Sequence, residues 1–181
     1  MRAPPEVRLD RFERLIHQVS FESEKGGVII VEGQRDRDSL RQLGIMGTIL
    51  CLQSSRANTI TFVEEMEDAS RAIVLTDFDR QGVFLAKQLS RILMSQKIQA
   101  NLVLWRDLRR LTRSDVRSIE ELPKFYERLQ SESGLLHMRR GYELPVLTRN
   151  PRVRDERLIR LSRQHKDRKK TRKARERMPE A

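Results

Sequence analysis

Three carboxylates stand where short apolar runs end. Glu32 follows "VIIV" (28–31) and precedes Gly33, while Asp77 and Asp79 follow "AIVLT" (72–76) in the segment "TDFDRQG". In an open parallel sheet, functional groups gather at the carboxyl ends of the strands. Extended geometry points residues two apart the same way, so the two aspartates can face one site. If the first and third strands are neighbours, about 5 Å apart, Glu32 joins them. Carboxylates so placed repel one another unless a cation is bound, and hard oxygen ligands suit Mg²⁺ or Mn²⁺. Asp77 and Asp79 are then the metal candidates. Glu32, its proton affinity raised by neighbouring negative charge, is the candidate general base or acid for phosphoryl transfer. Arg80 and the helix start near Gln81 offer positive ends for a phosphate. Gly82 keeps that start clear of a side chain, and Gly33 lets the chain turn sharply. The plain alternative is that turns use aspartate freely.

The elements that must position these residues are legible as alternating runs. Leu9, Phe12, Ile16 and Val19, spaced by three and four after a Pro start, predict an amphipathic helix over residues 1–25 that packs on the domain. "VIIV" is a β-branched run of the kind buried in parallel sheets. "DRDSLRQLG" (36–44) reads as a helix ended by glycine, "TILCL" (48–52) as a second strand and "ANTITFVEEMEDA" as a second helix. "AIVLT" is the third strand, 81–96 the third helix, and "ANLVLW" (100–105) the fourth strand. A further helix is expected at 115–130, with Ile119, Leu122, Phe125 and Leu129 inward and Pro123 as a possible break. Strands alternating with helices imply βαβ units: a four-stranded parallel sheet with helices on both faces. Residues 131–150 read as a linker and 151–181 as a basic tail.

The segments "VIIVEGQRDRDSL" and "AIVLTDFDRQG" resemble the Toprim domain of topoisomerases, bacterial-type primases and small nucleases that mature ribosomal RNA. The resemblance covers roughly residues 26–130. It implies a compact α/β fold and Mg²⁺-dependent nucleotidyl transfer or phosphodiester chemistry. It also maps the catalytic glutamate to Glu32, the metal aspartates to Asp77 and Asp79, and the family's glycines to Gly33 and Gly82. A chain of 181 residues has no room for strand-passage domains, and its single cysteine supplies no zinc module. By analogy, the expected function is that of a small stand-alone nuclease on structured RNA. The alternatives are a binding module without turnover, or a nucleotidyl-transfer subunit that needs a partner chain.

Charge sharpens the expectation of a polyanionic partner. The net charge is +11, yet residues 151–181 hold 13 Lys or Arg against five Asp or Glu, so most of the excess lies in the tail. Lys169, Lys170, Arg172 and Lys173 form its densest run and are candidate nucleic-acid contacts. Binding through them would be largely non-specific and salt-dependent. Aromatic residues make up only 5% of the chain, which favours RNA structure or a duplex backbone over extensive base stacking, and RNA over DNA. Arg35, Arg37, Arg56 and Arg80 could track phosphates or simply balance the acids. Asp36 and Asp38 read as helix N-cap and first-turn acids, with metal contact the alternative. Trp105 reads as core or rim, with base stacking as the alternative. One cysteine excludes a disulfide framework. No apolar run is long enough to span a membrane and no signal-peptide pattern opens the chain, so the expected setting is the cytoplasm, with a ribosomal or replication protein as a further possible partner.

Overall fold

The computed structural model describes residues 3–54, 59–64, 66 and 69–134. Arg56 and the entire stretch from 135 onward, including Lys169, Lys170, Arg172 and Lys173, lie outside the described residues. The elements run α1 (Pro5–Glu24), β1 (Val28–Val31), α2 (Gln34–Gln42), β2 (Ile49–Cys51), α3 (Thr59–Glu64), β3 (Arg71–Val74), α4 (Arg80–Ser95), β4 (Gln99–Asn101), α5 (Val103–Thr112) and α6 (Leu122–Glu132). The four strands form one parallel sheet in the order β2-β1-β3-β4. The fold is thus the α/β arrangement expected from the alternating runs, and β1 and β3 are indeed neighbours, with Ile30 paired to Val74.

The reversal of strand order next to β1 has a direct consequence. Right-handed crossovers carry α2 over one face of the sheet, and α3 and α4 over the other. Accordingly α3 packs on α4, whereas α1 packs on α5 and α6, and α6 also touches α2. The sheet core is almost wholly β-branched: Ile29, Ile30, Val31, Ile73 and Val74 are each exposed by no more than 1%. The inward stripe of α1 supplies Leu9, Phe12, Ile16 and Val19, as its spacing required. Phe12 meets Phe125 edge-on at 5.4 Å and stacks on Tyr126 at 5.5 Å, tying α1 to α6.

Three expected elements differ. "ANLVLW" is not a strand throughout: β4 ends at Asn101, and Val103, Leu104 and Trp105 open α5 instead. The Asn101 Oδ1 accepts the Val103 N–H at 2.9 Å, so a short polar side chain captures a first-turn donor and starts the helix. The expected helix 115–130 is divided into a 3₁₀ turn at Ile119–Glu121 and α6. Pro123 sits in the first turn of α6, where its missing N–H costs nothing, and so begins the helix rather than breaking it. α2 begins two residues before the expected start, and Gly44, at φ +83°, closes the chain out of it in the left-handed conformation.

Candidate acidic site at the strand ends

The carboxyl ends of β1 and β3 are joined beyond their last paired residues. The Leu75 N–H donates to the Ile30 carbonyl at 2.8 Å and the Gln53 N–H to the Glu32 carbonyl at 3.0 Å, extending the ladder on both sides of β1. The half-buried Glu32 then turns its carboxylate towards β3, where Oε1 accepts the Asp77 N–H at 3.0 Å. Both aspartates were expected in extended backbone at the tip of the third strand. β3 stops at Val74, and beyond Leu75 the chain is irregular and bends at Phe78 and Asp79, so strand alternation does not extend to Asp77 and Asp79.

That bend is held on every side. The Phe78 N–H donates to the Arg117 carbonyl at 2.8 Å, and Asp77 Oδ1 accepts the Ile119 N–H at 2.9 Å, so the segment 117–119 clamps it from one direction. From α5, the Trp105 Nε1–H donates to the Thr76 carbonyl at 2.8 Å and the Arg109 Nε–H to the Phe78 carbonyl at 3.2 Å. Trp105 is only 6% exposed, which removes base stacking as its role and makes it a positioning residue. No sequence signal singled out α5 for this work, although Leu104, Trp105, Leu108 and Thr112 are spaced as an inward helical face.

Asp79 caps α4: its Oδ1 accepts the Gly82 N–H at 2.7 Å. Gly82 has a packing role at the start of α4. A Cβ there would lie 2.1 Å from the Asp77 carbonyl oxygen, so only glycine lets the first turn of α4 press against the 77–79 bend. Gly33 also departs from expectation. Its backbone is extended (φ −135°, ψ 178°), which any residue adopts, so no sharp turn demands glycine there. Its N–H donates to Asp36 Oδ2 at 2.9 Å. Asp36 is therefore the first-turn acid of α2 that its position suggested, and it is buried beside the site.

Electrostatically these groups form one rim. Burial, then the charges of Asp36 and Asp79, push the Glu32 carboxyl up, against the opposing pull of the Asp77 N–H. Asp77 is pushed up to about 6, first by burial, then by Asp36, Glu32 and Asp79, against the Ile119 N–H. Asp36 is raised by burial and by Glu120. Among the described residues no Lys or Arg forms an ion pair with Glu32, Asp36, Asp77 or Asp79. Arg35 is paired at 3.9 Å with Glu120, and Arg37 at 3.7 Å with Asp38. Arg80 is exposed at the start of α4.

The donor chemistry suits a hard divalent cation, but the side chains do not form a closed cage. Among the described residues no three His, Cys, Asp or Glu side chains are placed to enclose one ion. The bound oxygens of Glu32, Asp77 and Asp79 each accept a backbone N–H, leaving the second oxygen of each without a hydrogen bond among the described residues. An ion that keeps its waters and needs only one or two protein carboxylates, as Mg²⁺ does, fits such a rim.

No family model matches the chain. A UPF0292 protein of Methanosarcina acetivorans is 36% identical over 129 residues, covering 71% of this chain and 88% of that protein. The UPF0292 protein of Pyrococcus furiosus is 38% identical over 122 residues (67% and 88%), and that of Thermococcus kodakarensis 31% identical over 127 (70% and 94%). A solved structure of a protein from Aquifex aeolicus aligns with a TM-score of 0.50 at 24% identity, over 60% of this chain and 94% of that one, a likeness of fold alone. The Toprim assignment drawn from the two short segments is therefore corrected, since no family model supports it and these relatives carry a different family name. At 36% identity over most of a relative's length, the chain belongs to the UPF0292 family.

Proposed function

We propose that this chain is a Mg²⁺-dependent enzyme that cleaves phosphodiester bonds in nucleic acid, structured RNA before DNA, in the cytoplasm. The observation that carries the reading is the grouping of Glu32, Asp36, Asp77 and Asp79 at the strand ends, the first three at least half-buried, with no described cation in an ion pair with any of them. Burying carboxylates beside one another is costly, and the cost is recovered when a cation and a phosphate complete the site. Asp77 and Asp79 would hold the ion through their second oxygens; Mn²⁺ could replace Mg²⁺. When bound, the ion polarises the phosphate and offsets charge developing on it.

The remaining steps belong to the chain's own groups. Glu32, with its raised proton affinity, takes a proton from the attacking water or returns one to the leaving oxygen. Its Oε1 is fixed by the Asp77 N–H, so the second oxygen is the one positioned to work. Trp105, Arg109 and the 117–119 segment keep Asp77 in register with Glu32. Arg80 and the basic tail, with Lys169, Lys170, Arg172 and Lys173, would retain the polyanion, with Arg56 and Gly33 as further candidate phosphate contacts. No described helix is long and apolar enough to cross a membrane.

A second reading is favoured by the backbone N–H groups that already occupy one oxygen of each carboxylate: a nucleic-acid- or ribosome-associated binding module without turnover. Labelled structured RNA, single-stranded DNA and duplex DNA incubated with Mg²⁺, Mn²⁺ or chelator separate the two. The enzyme reading predicts metal-dependent cutting that is lost in Glu32→Gln and Asp77→Asn while affinity persists. Tight, salt-sensitive binding with no cutting by the wild-type protein would leave the binding module.

A further inference from the structure

α4 leaves the acidic rim with an unusual outer face. It has 16 residues and contains no Asp or Glu. Arg80, Phe84, Lys87, Arg91 and Met94 are all exposed. At 100° per residue they fall within about 80° of arc, a single stripe down the helix. Phe84 and Met94 are each 69% exposed, the most of any large apolar side chain described. Neither Arg80, Lys87 nor Arg91 forms an ion pair with any described residue. Gln81, Gln88 and Ser95 run alongside as exposed, uncharged hydrogen-bonding groups.

We infer that this stripe is a track for a single-stranded segment of nucleic acid entering or leaving the acidic rim. Arg80, Lys87 and Arg91 would contact successive phosphates over about 16 Å, and Phe84 would stack a base between the first two of them. The inference rests on the proposed function for its direction along the helix, since the stripe begins at the residue after Asp79. An accessible ring among unpaired cations is the combination that holds single strands without sequence preference. A duplex backbone would use the cations but not the ring. A second copy of this chain docking face to face across a two-fold axis would set like charges opposite one another, with no acid on the helix to relieve them.

The test measures binding of the full chain to fluorescein-labelled oligouridylate and to a labelled RNA duplex by anisotropy, in chelator, across a salt series. No turnover is needed, so a protein that fails to cleave can still pass, and one that cleaves can fail. Phe84→Ala is expected to weaken oligouridylate binding by about 5- to 150-fold and leave duplex binding unchanged. Lys87→Ala/Arg91→Ala is expected to lower the slope of log K against log salt for oligouridylate by about 1.4. Equal effects of Phe84→Ala on both ligands, or none, would overturn the stacking role. An unchanged slope would overturn the phosphate track. Sedimentation of the wild type as a dimer that Phe84→Ala dissociates would make the stripe a protein interface and overturn both.

Discussion

Asp115 begins the segment that clamps Asp77 through the Ile119 N–H, and the molecule treats the two carboxylates oppositely. Asp115, 10% exposed at its side chain, is paired with the buried Arg8 and, at 3.1 Å, with Arg128. Both guanidinium groups also lie over the Phe125 ring, at 5.2 and 5.5 Å. That cluster ties α1 to the segment that leads into α6. Among the described residues the Asp77 carboxylate accepts a single backbone N–H and feels the charges of three other carboxylates, and its pKa rises to about 6. A carboxylate used for architecture is given its cations within the fold. One left among its own kind is where a cation from outside has something to gain.

Breaking the first half of this comparison has the largest expected effect. Asp115→Ala leaves Arg8 buried without its acid and should cost about 3–5 kcal/mol in urea unfolding. Since Arg117 and Ile119 follow directly, the same variant should loosen the clamp on Asp77, seen as faster hydrogen exchange at the Phe78 amide, which donates to the Arg117 carbonyl. A stability loss below 1 kcal/mol would show that the pair is dispensable.

Gly82→Ala comes next. Its Cβ would strike backbone rather than a flexible side chain, so α4 or the 77–79 bend must shift, at a cost of about 1–3 kcal/mol. If Gly82→Ala melts with the wild type, the close approach of α4 to Asp77 is wrong.

The acidic rim gives a smaller effect of opposite sign. Because Asp77 is raised from 3.8 to about 6, the folded state holds this proton more tightly than the unfolded chain does. The resulting stabilisation is fully present below the unfolded value and is lost as pH rises through 6. At pH 8 in chelator the ionised group therefore destabilises the fold, and Asp77→Asn should be more stable than wild type by about 1 kcal/mol, after discounting for solvent screening of a half-buried group. The difference should shrink as pH falls through 6 and vanish only well below the unfolded value of 3.8. A variant less stable than wild type at pH 8 would mean that Asp77 is already neutralised within the fold. Least affected of all should be Phe84→Ala, whose unfolding should stay within about 0.5 kcal/mol of wild type.

Which parts were legible follows from what each depends on. The strands "VIIV" and "AIVL" and the helix carrying Leu9, Phe12, Ile16 and Val19 are written in local periodicity, and folding leaves them in place. The meeting of Glu32 with Asp77 was legible only in part: alternation marks the strand ends, but that β1 lies beside β3 was a supposition, since neither alternation nor crossover hand sets the order of strands, and the pairing of Ile30 with Val74 supplies it. "LVLW" was misread because a four-residue apolar run fits a strand or a buried helix equally, and the deciding bond, from Val103 N–H to Asn101, is a side-chain choice. Trp105 and Arg109 reach carbonyls about 30 residues away in sequence, partners that no local pattern marks. Two short segments carried the Toprim resemblance, and they suited the fold without fixing the family. The basic tail was plain in composition, but composition says what it can bind and nothing of its shape.

The central claim is that the acidic rim accepts a divalent cation that the Asp115 cluster does not need. Mn²⁺ titrated into the full chain at neutral pH, with free ion followed by electron paramagnetic resonance, tests it most directly. The account predicts a saturable site in the wild-type protein, lost in Asp77→Asn and retained in Arg128→Ala. No saturable binding by the wild type, or identical binding by Asp77→Asn, would contradict it.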